Sequence, residues 1–185
     1  IVAHPECDEE ALLVALLRGA FEFQGQKCSA ASRAYIPSSV WSNISSRFSD
    51  EVSKIKMGDA LDFTNFMTAV IDQRAFDKIN GYIDRAAKRE TCEVFIGGGS
   101  DGSSGWFIEP TVIVTEDPNS ETMVDEIFGP VLTVFIYEDG NFAEVLETCD
   151  KGSPYALTGS IFASNEEDVE TCLLYTSPSP RDVRS

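Results

Sequence analysis

Two short runs rich in β-branched and aromatic residues, Thr-Val-Ile-Val-Thr at 111–115 and Val-Leu-Thr-Val-Phe-Ile-Tyr at 131–137, lie among stretches whose apolar residues recur every three or four positions. The first pattern suits a strand and the second an amphipathic helix, so their interleaving predicts an α/β fold: an open sheet with helices on its faces. Asp8 can cap a first helix carrying Leu12, Leu13, Leu16, Leu17, Ala20 and Phe21, with Gly25 as its end. Residues 33–37 read as a strand in which Ala34 and Ile36 alternate with Tyr35. Ser38 or Ser39 is expected to cap a second helix bearing Val40, Ile44, Phe48, Val52 and Ile55, stopped at Gly58. A third helix is predicted over 72–88, with Phe76, Ile79, Tyr82, Ile83 and Ala86 inward. Residues 93–96 form a strand entering Gly97-Gly98-Gly99, which lacks the spaced glycines of a dinucleotide fingerprint and reads as a hairpin loop. A short helix at 121–125, another around Phe142, Val145 and Leu146, a strand at 158–163 and a last helix from Asn165 complete the pattern.

Residues 1–174 therefore read as one domain, and no internal repeat divides them. At 175–185 the composition turns linker-like, and Pro178 and Pro180 cannot continue a helix, so an unstructured tail is expected, either non-native sequence or a natural flexible terminus.

Charge and cysteine usage narrow the function classes. A formal net charge of -17 argues against a nucleic-acid partner, since phosphate neutralisation needs clustered Lys and Arg. Between 111 and 170 there are 14 Asp and Glu against one basic residue, Lys151, an excess that makes a solvated acidic surface or a face for a basic partner, the first being the expectation. No apolar run reaches the roughly 18 residues of a membrane span, so no membrane partner is expected. Cys7, Cys28, Cys92, Cys149 and Cys172 show neither CxxC spacing nor a His partner, so neither a metal site nor a disulfide framework is predicted. Reduced thiols suit a cytosol or a mitochondrial matrix.

One cysteine stands apart. Phe21-Glu22-Phe23-Gln24-Gly25-Gln26-Lys27-Cys28-Ser29-Ala30 ends a helical pattern in glycine and then presents a thiol among small polar residues, as a displayed nucleophile requires. Taken alone, Cys28 could equally be a small buried residue. Its segment resembles the catalytic-cysteine segment of the NAD(P)-dependent aldehyde dehydrogenases. With Arg33-Ala34-Tyr35-Ile36-Pro37 it is most similar to the 1-pyrroline-5-carboxylate (glutamate semialdehyde) dehydrogenase branch. Asp125-Glu126-Ile127-Phe128-Gly129-Pro130-Val131 resembles a second motif of that family, and Tyr155-Ala156-Leu157-Thr158-Gly159-Ser160-Ile161-Phe162 more weakly a third, with Ala156 in place of glycine.

The resemblance implies a partial aldehyde dehydrogenase catalytic domain. Cys28 would be the nucleophile, its backbone N–H half of an oxyanion hole. Ser29 would help bind a substrate carboxylate, and Glu126 and Phe128 would meet the nicotinamide end of NAD, a carboxylate suiting the ribose diol. The implied reaction oxidises L-glutamate 5-semialdehyde, a small-molecule substrate, to L-glutamate in a mitochondrial matrix, by a homo-oligomer when full length. The family's water-activating glutamate would precede Ile1, and its dinucleotide-binding region, oxyanion-hole asparagine and carboxylate-clamping loop have no counterpart in this sequence. The isolated chain is therefore expected to be inactive. Two rivals remain at this point: an aldehyde dehydrogenase of another substrate class, and a truncated product without enzymatic function.

Overall fold

The computed structural model describes residues 1–153 and 157–176. Asp8 accepts hydrogen bonds from the Glu10 and Ala11 backbone N–H groups and starts α1 (Glu9–Phe21), whose Leu12, Leu13, Leu16, Ala20 and Phe21 are buried. The helix ends at Phe21, before the expected Gly25, because a 3₁₀ turn over Glu22–Gly25 enters the left-handed region at Phe23. Strand β1 (Val2–Ala3) precedes α1, and β2 (Arg33–Pro37) follows the turn region.

Helix α2 (Ser38–Ser53) buries Val40, Trp41, Ile44, Phe48 and Val52 on one face. Neither serine caps it. Asp139, a hundred residues away, accepts from Ser39 N–H at 3.1 Å and from Ser38 Oγ at 3.2 Å, so the orphan donor is satisfied from across the fold. Helix α3 (Gln73–Ala86) is capped by Asp72, whose side chain accepts from Ala75 N–H at 2.8 Å. Its Ile79, Ile83 and Ala86 are buried, while Phe76 and Tyr82 are only half-buried.

The remaining elements are β3 (Cys92–Ile96), β4 (Ser100–Asp101), β5 (Phe107–Ile108), β6 (Thr111–Thr115), α4 (Glu121–Val124), β7 (Val131–Tyr137), α5 (Phe142–Lys151), β8 (Ile161–Phe162) and α6 (Glu166–Thr176). Gly97 and Gly98, both at positive φ, carry the chain out of β3, but the expected loop is not continuous: Ser100–Asp101 form β4, the hairpin it makes with β5 turns at 102–106, and β3 itself pairs antiparallel with β6. The last strand is confined to two residues of the six expected, as an edge strand pairing only with β1. Helix α6 continues through Tyr175 and Thr176, the first two residues of the expected tail; the rest of that tail, 177–185, lies outside the described residues.

The main sheet has the order β3-β6-β7-β2-β1-β8, with β3 antiparallel and the other neighbours parallel. Alternation along β7 decides its two faces. Leu132 and Val134 pack with α1 and α2, whereas Val131 packs with α3 and Tyr137 with α5. The result is an α/β/α sandwich. Among the described residues no helix is long and apolar enough to cross a membrane, and no group of three or more His, Cys, Asp or Glu is arranged to hold a metal ion.

Burial sets the pH range in which this core is stable. It pushes the Cys7 and Cys172 thiols from 9.0 to about 11 and the Tyr35 phenol from 10.0 to about 12. The folded chain therefore keeps protons that the unfolded chain loses first, and stability falls as pH rises from about 9 through 12. Thermal unfolding is expected to show a lower Tm at about pH 11 than at about pH 8; an unchanged Tm would contradict the burial of these groups.

Candidate active site

The pairing register brings the two sequence motifs together. Parallel β2 and β7 pair Arg33 with Thr133, and Thr133 N–H donates to the Ser32 C=O at 3.0 Å. Cys28 and Phe128 each lie five residues before these partners, so both motifs enter neighbouring strands at the same sheet edge. That edge is formed by the amino ends of the strands, opposite to the carboxyl-end crevice usual in open parallel sheets.

Cys28 and Ser29 are the central residues of a tight turn closed by Ala30 N–H donating to the Lys27 C=O at 3.0 Å. Both are exposed. Among the described residues, neither the Cys28 backbone N–H nor the Ser29 hydroxyl has a hydrogen-bond partner. Lys27 is directed elsewhere. Its Nζ lies 2.9 Å from Glu22 Oε2, and Arg18 pairs with the same carboxylate at 2.7 Å. Bonds from Lys27 and then Arg18 hold the Glu22 carboxyl below its usual range.

The path into this turn is strained: Phe23, Gln24 and Gly25 have φ of 56, 57 and 63. A non-glycine residue there costs about 1 kcal/mol or more. Buried Gln24 offsets part of that cost through both ends of its amide. Its Nε2 donates to the Ala69 C=O at 3.3 Å, and its Oε1 accepts from Thr68 N–H at 3.2 Å. Gln26 Oε1 accepts from Ile71 N–H at 3.0 Å. The two glutamines flanking Gly25 therefore stitch the cysteine loop to residues 68–71.

Gly25 itself meets the second motif. A Cβ added there would stand 2.3 Å from the Gly129 backbone O and 2.7 Å from that of Ala20. Gly129 is confined by a side chain instead, its own Cβ position lying 2.5 Å from Ile79 Cδ1. Beside this glycine contact opens a shallow groove lined by Lys27, Ala30, Ala31, Ser32, Glu126, Phe128 and Val131. The Glu126 carboxylate is exposed, and Phe128, at φ 60, leaves its ring 39% exposed.

Sequence reasoning overlooked how the Glu126 segment is held. Lys78 Nζ donates to the Glu126 C=O at 3.1 Å, Tyr82 OH to Asp125 Oδ2 at 2.9 Å, and Arg33 to the Met123 C=O at 2.7 Å. Burial, and next the Asp125 carboxylate, push the Tyr82 phenol above its usual range, which keeps it a donor. Of the third motif, Tyr155 and Ala156 lie outside the described residues, and Leu157 is exposed.

Residues 1–175 match the aldehyde dehydrogenase family. The chain belongs to that family. The mitochondrial delta-1-pyrroline-5-carboxylate dehydrogenase of Dictyostelium discoideum is 50% identical over 172 residues, covering 93% of this chain and 31% of its own length. The human mitochondrial delta-1-pyrroline-5-carboxylate dehydrogenase is 41% identical over 168 residues, covering 90% of this chain and 30% of its own. A crystal structure of the Mycobacterium tuberculosis delta-pyrroline-5-carboxylate dehydrogenase bound with NAD superposes with a TM-score of 0.87 at 41% identity, over 94% of this chain and 31% of that one. The chain thus spans about a third of the length of these aldehyde dehydrogenases. Fold alone does not select the substrate within the family, since a Staphylococcus aureus betaine aldehyde dehydrogenase superposes at a TM-score of 0.84 with 29% identity.

Gly25→Ala should be among the most damaging small substitutions in the chain. It combines a left-handed φ with a backbone clash that no side chain can relieve, for an expected loss of about 3 kcal/mol or more. Urea unfolding of the variant measures this; a loss under about 1 kcal/mol would mean that the contact with Gly129 is loose.

Proposed function

We propose that this chain is the nucleophile-bearing part of an NAD-dependent enzyme that oxidises L-glutamate 5-semialdehyde, the open form of 1-pyrroline-5-carboxylate, to L-glutamate in proline breakdown. The observation that carries this reading is the exposed Cys28–Ser29 turn, whose end residues Lys27 and Ala30 line a groove with Glu126 and Phe128 while Cys28 and Ser29 themselves do not, in a chain 50% identical to a pyrroline-carboxylate dehydrogenase. The mitochondrial names of the Dictyostelium and human relatives support a mitochondrial location. Assembly into a homo-oligomer belongs to the same reading.

Cys28 Sγ, as thiolate, adds to the aldehyde carbon, and the carbonyl oxygen takes the negative charge. The Cys28 N–H, which has no partner among the described residues, is suited to donate to that oxygen. Oxidation of the same carbon leaves a thioester on Sγ, and water then releases the carboxylate and regenerates the thiol. NAD, when bound, supplies the hydride acceptor. The residues present fit its nicotinamide ribose end: Glu126 offers two acceptor oxygens and no competing donor to a diol, and Phe128 offers a flat apolar ring at the same groove. Ser29, adjacent to the nucleophile with its hydroxyl unengaged, is assigned to the substrate carboxylate, which an uncharged aldehyde lacks.

Two variants of a full-length enzyme carrying this segment test the assignment. Cys28→Ala should abolish turnover while NAD+ binding measured by calorimetry persists, because only the covalent step is lost; substantial remaining turnover would exclude Cys28. Ser29→Ala should raise KM for glutamate semialdehyde about tenfold, the worth of a charge-assisted hydrogen bond, and leave KM for an uncharged aldehyde of similar length nearly unchanged. Equal effects on both substrates would favour the rival reading, a different substrate class.

A further inference from the structure

The segment that carries Glu126 and Phe128 has no regular structure of its own. It leaves α4 at Asp125 and reaches β7 at Val131, passing through left-handed backbone at Phe128, with Ile127 as its buried apolar side chain. Neither helix bonds nor a strand ladder fix the direction of Glu126, so neighbouring side chains must do so. Tyr82 on α3 is placed for that task. Its hydroxyl donates to Asp125 Oδ2 at 2.9 Å, one residue before Glu126. The ring is itself braced: the Arg85 guanidinium lies 4.6 Å from its centroid, and Arg85 Nε and Nη2 reach the Glu121 carboxylate at 2.9–3.1 Å. One face of α3 thus grips both ends of the turn 121–125 that delivers Glu126.

We propose that Tyr82 is a positioning residue for the cofactor contact at Glu126, acting through its bond to Asp125, with Arg85 holding the ring in place. This rests on the assignment of Glu126 to the nicotinamide ribose made above. The bond joins a half-buried phenol to an exposed carboxylate, where water competes for both partners and the net gain to folding is small. Its leverage lies in geometry, since a carboxylate must keep its direction to meet a diol with both oxygens.

The test uses a full-length enzyme carrying this segment, with NAD+ affinity read by calorimetry alongside KM for the aldehyde and Tm. Tyr82→Phe, which removes one oxygen and keeps the ring, should weaken NAD+ binding about fivefold, with KM for the aldehyde and Tm nearly unchanged. Asp125→Ala removes the other partner and should weaken NAD+ to the same degree. Glu126→Gln should weaken NAD+ as well, and adding Tyr82→Phe to it should have no further effect, because the positioned group is already lost. Unchanged affinity in both Tyr82→Phe and Asp125→Ala, or effects that multiply in the double variant, would overturn the positioning role while leaving Glu126 as the cofactor contact. Unchanged affinity in Glu126→Gln alone would overturn the cofactor assignment and this proposal with it.

Discussion

The candidate site depends on one close approach of backbone to backbone, Gly25 against the Gly129 carbonyl. A Cβ at Gly25 would collide with the Gly129 carbonyl, so the cysteine loop can lie this near the Glu126 segment only if Gly25 lacks one, whereas a Cβ at Gly129 would meet the Ile79 side chain on α3. The contact joins residues more than a hundred apart in sequence. It is reached from both sides at a conformational cost, through left-handed Phe23 and Gln24 on one approach and left-handed Phe128 on the other. Strain of this kind persists only where surrounding bonds over-determine it. The Gln24 amide, the Gln26 carbonyl oxygen and the pins from α3 supply those bonds. These bonds anchor the loop on both sides of Gly25, while the Cys28 thiol and the Ser29 hydroxyl stay open to solvent.

Much of the frame could be read along the chain because its signals are local. Asp8 sits at its cap, and 33–37, 111–115 and 131–137 are strands over the expected residues. Local signals failed where a distant group intervened. The cap of α2 comes from Asp139 rather than from Ser38 or Ser39, and Gly25 serves the contact with Gly129 rather than the end of α1, which stops at Phe21. The strand expected over 158–163 shrinks to Ile161–Phe162 because only one neighbour pairs with it.

The site residues themselves were legible only through family resemblance. Composition made Glu126 one acid among many and Phe128 one of twelve phenylalanines. What neither motif could disclose is that β2 and β7 are adjacent and in a register that aligns the two segments, since strand order is a property of the sheet and not of either strand. The supporting role of α3 was hidden for a similar reason. Tyr82 fell on the expected inward face and read as core, yet its hydroxyl reaches Asp125 on another element.

The thiol displayed beside this glycine contact is assigned the covalent bond to substrate. Reacting a full-length enzyme that carries this segment with glutamate semialdehyde and NAD+, quenching in acid before hydrolysis is complete, and mapping the peptides by mass spectrometry tests it directly. An acyl group on Cys28 is expected. An acyl group on Cys7, Cys92, Cys149 or Cys172 instead, with Cys28 unmodified, would contradict it.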